Sequence, residues 1–546
     1  MKRIHLFILT GLLLTGLLTG CVQIGTMVAK MMTQSTADLS NVSMQVRYIR
    51  NLYPPETGTT EAGYLEEWKA GRNILGINVF KRSGIGMYKL DAVMLANGDT
   101  LPYYTNGASG KFLDEGDLES QHIQIKTASG QEAEFTVAPI EPVEITSVNG
   151  GSGIVDLTKD LVLEFDVPEN VENRNMKVSL LMDVMGVRDW VDIVNFKEKS
   201  KVVIPASAFQ HLPGLSPVMG SSYLRVERFR VEPTIHKGIG AAQVLSLSWD
   251  AVPVEVTGKR DAVNGIAVDG EISSEKGTIS YDISKPNAFL GKPFSEGKKF
   301  ALTSLTVRAT KLKQSRTKTS SSTSYYGNYK VTTTTTTTQT RKFPTLPDEF
   351  WEDLVDDMYD EVLATLQNNW DIELIPVEEV LGAPSYQELE SIDDGVTEVA
   401  VSKSYKNTKN LIPTTLGAII GSVSSTFASD RVDARLIEEL DVDGLIAVTI
   451  DLEMPWESFS LSPRLSFRVS GPPNGYLMGP TIFAQGVISG NGVELDSAKA
   501  ETTDPMDILD RVVRKDELIS ALDTGLKQLQ AEERKYGYDK IWALQR

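Results

Sequence analysis

Cys21 is the only thiol in a chain of 546 residues, so no internal disulfide, CxxC redox pair or cysteine-rich zinc site can form. The four histidines, His5, His122, His211 and His236, are too widely spaced for an HExxH or paired-His zinc motif. Gly84-Ile85-Gly86 and Gly238-Ile239-Gly240 open like dinucleotide-binding loops. Lys89 and Gln243 stand where the third glycine belongs, so both segments read as turns. No GxxxxGK(S/T) phosphate loop occurs, and Gly107-Ala108-Ser109-Gly110 falls one residue short of a GxSxG nucleophile elbow. Asp441-Val442-Asp443-Gly444 has the opening of a calcium loop without its third acidic position or distal Glu, and reads as a helix-to-strand turn. Asp353, Asp356, Asp357, Asp360 and Glu361 form an acidic cluster that reads as the solvated face of a helix. No catalytic, cofactor-binding or metal-ligating residue is nominated, and the chain reads as a non-enzyme.

The residue with a chemical role is Cys21. Lys2 and Arg3 precede an apolar stretch from Leu6 to about Leu18, the length of a signal-peptide core and short for a bilayer span. It ends in Leu18-Thr19-Gly20-Cys21, which resembles the bacterial lipobox. The resemblance implies diacylglycerol on the Cys21 thiol, cleavage before Cys21 and acylation of the new amino group. Two or more acyl chains anchor stably where one binds marginally. Val22 follows in place of the Asp that holds such lipoproteins at the inner membrane, so the resemblance implies outer-membrane sorting. Residues 1–20 are thus expected as signal peptide and 21–41 as a lipidated tether, with a short helix around Met27–Met32.

The formal net charge is −19, which argues against nucleic-acid binding, since that needs clustered Lys and Arg. It also leaves attachment to a membrane to the lipid. The hydrophobic share of 41% suffices for packed cores, and the length suits roughly three to four domains at ~150 residues each.

The elements that would carry any site fall into distinct stretches. Residues 42–140 alternate apolar and polar residues between Asn97-Gly98, Asn106-Gly107 and Ser129-Gly130 turns, predicting an antiparallel β domain with strands near Val42–Ile49, Ile74–Phe80 and His122–Lys126. Residues 141–258 contain seven candidate strands: Val143–Val148, Leu161–Val167, Lys177–Val184, Trp190–Phe196, Lys201–Ile204, Tyr223–Val231 and Val244–Val256. They interleave apolar and polar residues as a two-sheet sandwich requires, and the architecture resembles an immunoglobulin-like sandwich without its cysteine pair. Residues 259–298 read as a linker with a small hairpin.

From 299 to 546 strands alternate with helices, predicting a layered α/β domain. The strand Phe300–Ala309 precedes a helix over Pro347–Asn368, whose Phe350, Trp351, Leu354, Val355, Met358, Val362, Leu363 and Leu366 share one stripe. A strand at Ile372–Val377, a helix at Asp430–Leu440, strands at Leu445–Leu452, Leu465–Val469 and Thr481–Ile488, and a helix at Lys515–Arg534 follow. The strand–helix–strand order from Phe300 to Val377, with Asp443-Gly444-Leu445-Ile446-Ala447-Val448 after a helix, resembles the small α/β domain of envelope lipoproteins of the curli-secretion and TolB N-terminal type. That resemblance implies assembly or scaffolding of envelope complexes. The fold class expected is therefore multidomain, an all-β N-terminal part followed by an α/β layered domain.

Residues 311–341 interrupt that domain with a Ser- and Thr-rich insertion, including an unbroken Thr332–Thr338 run. Two readings stand: a polar low-complexity loop, or a two-stranded ribbon with its tip near Tyr326-Gly327-Asn328. Neither flank is apolar, which excludes a membrane-barrel wall. The expected function is a membrane-anchored binding or scaffolding lipoprotein of the bacterial envelope, with the bilayer and an envelope protein as partners. The alternatives are a glycan-binding or adhesion lipoprotein, with Tyr103, Tyr104, Tyr325 and Tyr326 as exposed aromatics, and an envelope-polymer hydrolase.

Overall fold

The computed structural model describes residues 33–52, 72–81, 87–105, 107–114, 118–167, 174–184, 187–212, 220–234, 239–312, 316–326, 329–339, 343–389, 391, 397–411, 432–454, 460–475, 480–494 and 504–546. Cys21, His5, His236, Gly84-Ile85-Gly86 and the helix expected around Met27–Met32 lie outside them. The described chain is predominantly β, arranged in several sheets.

The expectation of strands through 42–258 is met. The seven strands between 141 and 258 form as Glu144–Val148, Leu161–Asp166, Asn175–Val184, Val187–Lys197, Lys201–Ile204, Gly220–Thr234 and Ala241–Thr257. Their pairing joins distant parts of the chain. Ala241–Thr257 runs parallel to Val42–Leu52, so the 42–140 and 141–258 stretches share one 11-stranded sheet. Thr33–Thr36, expected as tether, adds a parallel edge strand beside Met87–Leu90.

Two smaller sheets cover one face of this large sheet. A three-stranded sheet brings Leu161, Leu163, Phe165, Val202 and Ile204 against Val178, Leu180, Phe196 and Val226, with the Phe165 and Phe196 rings 6.0 Å apart. This is the packing of a β-sandwich. A four-stranded sheet sets Ile123, Ile125, Phe135 and Val137 over Val42, Met44, Val46, Leu75 and Ile77. The period-two alternation of each strand supplies these buried faces, and each fully buried Leu, Ile or Phe contributes roughly 1.5–3 kcal/mol.

The 259–298 stretch carries the hairpin Gly265–Ser274 and Gly277–Pro286, and this hairpin joins a nine-stranded sheet through Pro480–Gly490. The order across that sheet continues to Ser460–Pro473, Gly444–Met454 and Lys299–Leu312. Only the last two run parallel among these long strands; the other neighbours are antiparallel. Strand–helix alternation therefore does not yield an alternating parallel sheet. Helices Asp348–Trp370 and Lys515–Lys535 lie on one face, where Trp351, Met358, Leu522 and Leu526 meet Leu305, Val307, Val448, Ile450 and Phe467. Asp348 and Glu349 sit in the first turn of the former, where the helix dipole favours anions, and Asp371 ends it with φ 50°.

The segment Ile372–Val377, expected as a strand, pairs only through Glu373–Leu374. Pro376 then caps the short helix Val377–Gly382, because its fixed φ suits a helix start and it has no N–H for a ladder. With helices Pro384–Glu388 and Val432–Glu439 it packs Val380, Tyr386, Leu436 and Ile437 against Ala301 and Leu445 on the second face of the sheet.

The Ser/Thr-rich insertion forms the ribbon. Arg316–Tyr326 pairs antiparallel with Tyr329–Gln339 in unbroken register, from Arg316 opposite Gln339 to Tyr326 opposite Tyr329. Among the described residues no helix is long and apolar enough to cross a membrane.

Candidate functional site

The second face of the nine-stranded sheet is apolar where the three short helices cover it. Beyond them, the residues of four adjacent strands that face this side are mostly polar, with Ala447 and Val487 among them. Register places Arg308 beside Asp451 and Asp451 beside Arg464, with Thr306, Thr449 and Ser466 forming the next row. A third row sets Ser304 beside Ala447, Ala447 beside Arg468, and Arg468 beside Gln485. Neighbours within a row stand about 4.8 Å apart, the spacing between strands, and successive rows about 6.7 Å apart along them.

Most of these groups are tied to one another. Arg308 donates from Nε to Asp451 Oδ1 at 2.8 Å and from Nη2 to Asp451 Oδ2 at 2.9 Å, with both residues buried. Thr306 Oγ1 and Ser404 Oγ are 3.1 Å apart, and Thr449 Oγ1 donates to Asn410 Oδ1 at 3.2 Å. Arg464 donates to Glu453 Oε1 at 3.3 Å. Burial pushes the Glu453 carboxyl above its ordinary range, and the Arg464 guanidinium opposes that push.

Arg468 is different. Its Nε is buried with no hydrogen-bond partner among the described residues, and burial pulls its guanidinium below its ordinary pKa. An unmade bond on a buried charged donor costs upwards of ~1–3 kcal/mol. A guanidinium in this state, flanked by Ser466 and Ser470 on its own strand and by Gln485 on the next, is set to take a planar or tetrahedral anionic group.

Two other charged clusters are internal. In the 11-stranded sheet, Lys177 lies 3.2 Å from Asp192 and 3.3 Å from Glu227. Beside them the Arg225 guanidinium is held between the Trp190 and Trp249 rings, 4.8 Å and 4.5 Å from their centroids. The cations and Glu227 are buried, and the cluster ties four neighbouring strands. In the nine-stranded sheet, Lys285 pairs with Glu533 of the last long helix. Burial pulls the Lys285 amine down to about 8 and pushes the Glu533 carboxyl up, while their mutual attraction opposes both shifts.

The residues weighed in the sequence are scattered. His122 is exposed, 3.7 Å from Glu134. His211 is buried: Nδ1 accepts from Ala288 N at 3.2 Å and Nε2 meets Tyr536 O at 2.9 Å, which makes it a structural clasp. Ser109 lies inside the strand Ala108–Leu113, and Lys89 in Met87–Leu90, so neither begins a helix. Asp443 Oδ2 accepts from Lys298 N and Lys299 N at 2.8 Å and 3.0 Å, a helix-to-strand turn in which Asp441 takes φ 50°. Asp353, Asp356, Asp357 and Asp360 line the exposed side of the Asp348–Trp370 helix, and Lys515 reaches Asp357 at 3.0 Å. Tyr103 and Tyr104 belong to the large sheet and Tyr325 and Tyr326 to the ribbon, so no element unites them. Among the described residues no group of three His, Cys, Asp or Glu could hold a metal ion.

Arg308, Asp451, Glu453 and Arg468 were not singled out from the sequence. A signal was present: Ile450-Asp451-Leu452-Glu453 and Arg464-Leu465-Ser466-Phe467-Arg468 alternate apolar with charged or polar residues, which marks one wet sheet face. Which charges meet depends on pairing across strands.

No protein-family model matches the chain, and no curated protein matches it. Among solved structures, SGBP-B of the Bacteroides ovatus mixed-linkage glucan utilization locus, in complex with a mixed-linkage heptasaccharide, aligns over 44% of this chain and 69% of its own. The identity is 11% and the TM-score 0.10, a correspondence that defines no shared fold.

Proposed function

We propose that the chain is a bacterial envelope lipoprotein, anchored through lipid on Cys21, that acts by binding rather than catalysis. Its ligand is an acidic polar molecule, such as a carboxylated oligosaccharide, seated on the polar face of the nine-stranded sheet. The Arg468 guanidinium, buried at Nε without a partner among the described residues and set beside Ser and Gln positions, carries this reading. The alternating Ser, Thr and Gln positions suit sugar hydroxyls, and the cation selects an acidic sugar over a neutral one. The lipobox Leu18-Thr19-Gly20-Cys21 supports the anchor and an envelope location outside the cytoplasm.

Calorimetric titration of uronic-acid oligosaccharides against their neutral counterparts tests the ligand. The chain from Val22 onward is expected to bind the acidic series alone, and Arg468→Met to lose about ten- to hundred-fold in affinity. Equal binding of both series, or an unaffected Arg468→Met, rejects the assignment. The anchor is tested separately by mass spectrometry of the N-terminal peptide from membranes, where an unmodified Cys21 excludes it.

A further inference from the structure

The end of the chain folds back onto the β-sandwich. Beyond the Lys515–Lys535 helix, Gly537 takes φ 70° and starts the short helix Tyr538–Trp542. Glycine makes that turn without strain, and a Cβ there would stand 2.8 Å from Ser207 Oγ of the sandwich. Two side chains of this segment hold the stretch that leaves the Gly277–Pro286 strand. Tyr538 Oη donates to Pro286 O at 2.7 Å, and Trp542 Nε1 donates to Ala288 O at 2.7 Å. His211 follows the sandwich helix Ser207–Gln210 and completes the joint. Its Nδ1 accepts from Ala288 N, its Nε2 meets Tyr536 O, and its ring lies 4.7 Å from that of Tyr538 at 77°. One imidazole therefore ties the sandwich, the strand exit and the C-terminal segment together.

These contacts select one protonation state. Ala288 N can only donate, so Nδ1 must be bare, and Nε2 carries the proton that Tyr536 O accepts. A second proton, on Nδ1, sets two donors against each other in a buried site and breaks the Ala288 bond. Burial lowers the His211 pKa, and the Tyr536 carbonyl opposes that shift. The charged groups packed around the joint have partners of their own. Lys285 pairs with Glu533, Arg260 donates to Phe209 O and Leu212 O, and Lys199 donates to Leu544 O. Asp539 accepts from Ser295 Oγ, and Arg546 pairs with Glu296. Among the described residues none of these is hydrogen-bonded to the imidazole.

We propose that His211 is an acid-sensitive latch, whose protonation frees residues 287–291 and 536–546 from the sandwich while both large sheets stay folded. A freed His211 takes up its proton near the ordinary 6.5, and the latched ring does so only at lower pH. The latch is therefore fully closed above 6.5 and weakens as pH falls below it. Each pH unit between the two pKa values multiplies the opening equilibrium about ten-fold at low pH. The latch is separate from the Cys21 anchor and from the Arg468 face.

Hydrogen–deuterium exchange of the chain from Val22 onward, at pH 7.5 and pH 5.0 with intrinsic rates corrected, tests it. Protection over 287–291 and 536–546 is expected to fall about ten-fold or more at pH 5.0, for a separation of at least one pH unit. Protection of the Asp348–Trp370 helix is expected to stay constant. His211→Gln, whose amide can accept from Ala288 N and donate to Tyr536 O without titrating, is expected to keep its protection at both pH values. His122→Gln is expected to respond like the parent. In the parent, the NMR signal of the His211 ring is expected to titrate below 6.5. Four results overturn the proposal. They are unchanged protection at pH 5.0, a matching loss in the Asp348–Trp370 helix, a His211 ring that titrates at or above 6.5, and a His211→Gln protein that loses protection as the parent does. The last assigns the response to the Glu533 carboxyl, which burial pushes up beside Lys285.

Discussion

Arg308 and Asp451 close a two-pronged ion pair across neighbouring parallel strands, with hydrogen bonds of 2.8 Å and 2.9 Å and both side chains buried. The pair lies in the polar face that holds Arg468 and joins two strands that are 143 residues apart in sequence at this point. Burying two charges is offset only while each keeps its partner. Arg308→Met is therefore expected to destabilise the protein by about 3–5 kcal/mol, by removing the two-pronged partner of the buried Asp451 carboxylate. Arg308→Met with Asp451→Leu should cost clearly less than the single change. Urea denaturation of the wild type, both singles and the double measures this coupling. Additive effects would show that the two residues act independently.

His211 gives the folded state a pH dependence. Burial lowers its pKa below the ordinary 6.5, and its Nδ1 accepts from Ala288 N, so the folded form holds it neutral. The unfolded chain takes up the proton first as pH falls through 6.5. The stability that the neutral ring contributes is fully present above that pH and is lost between 6.5 and the lowered folded value. The melting temperature should drop from pH 7.5 to pH 5.5, and His211→Gln should reduce the size of that drop. An unchanged pH slope in the variant would assign the acid sensitivity to other groups.

Two glycines of the nine-stranded sheet and its helices should respond oppositely to an added methyl. A Cβ on Gly486 would stand 2.6 Å from Asp282 O and 3.0 Å from Ile283 Cα, both backbone atoms of the adjacent strand. Gly486→Ala is expected to cost about 1–3 kcal/mol. At Gly382, which ends a short helix, a Cβ meets nothing within 4 Å. Gly382→Ala should be neutral or stabilising by up to about 1 kcal/mol, through lower entropy of the unfolded chain. Thermal melts of both variants check the pair, and a Gly486→Ala protein as stable as its parent would contradict the close approach.

Local pattern carried much of the architecture. The seven strands between 141 and 258 follow period-two alternation, and the Asp348–Trp370 helix follows its stripe from Phe350 to Leu366. The acidic cluster of that helix is a solvated face, because Asp353, Asp356 and Asp360 fall opposite the stripe. Ile372–Val377 misled because an apolar run reads as strand when its neighbours are unknown, and Pro376 turns the backbone into a helix. The ribbon lay open between two readings because a run of threonine and serine has high β propensity and no apolar face to bury.

By itself the amino-acid order determined the acidic balance, through composition, and the strand-forming stretches and the helix stripes, since these depend on residues close together in the chain. Only the tertiary structure decided that Ala241–Thr257 lies beside Val42–Leu52, that Arg308 meets Asp451, and that Arg468 stands beside Gln485 with its Nε unpaired among the described residues. The physical reason is that sheet partners are chosen by burial and backbone hydrogen bonding between segments far apart in sequence. A strand's own residues state which face is wet, and the neighbouring strand states which charge is answered.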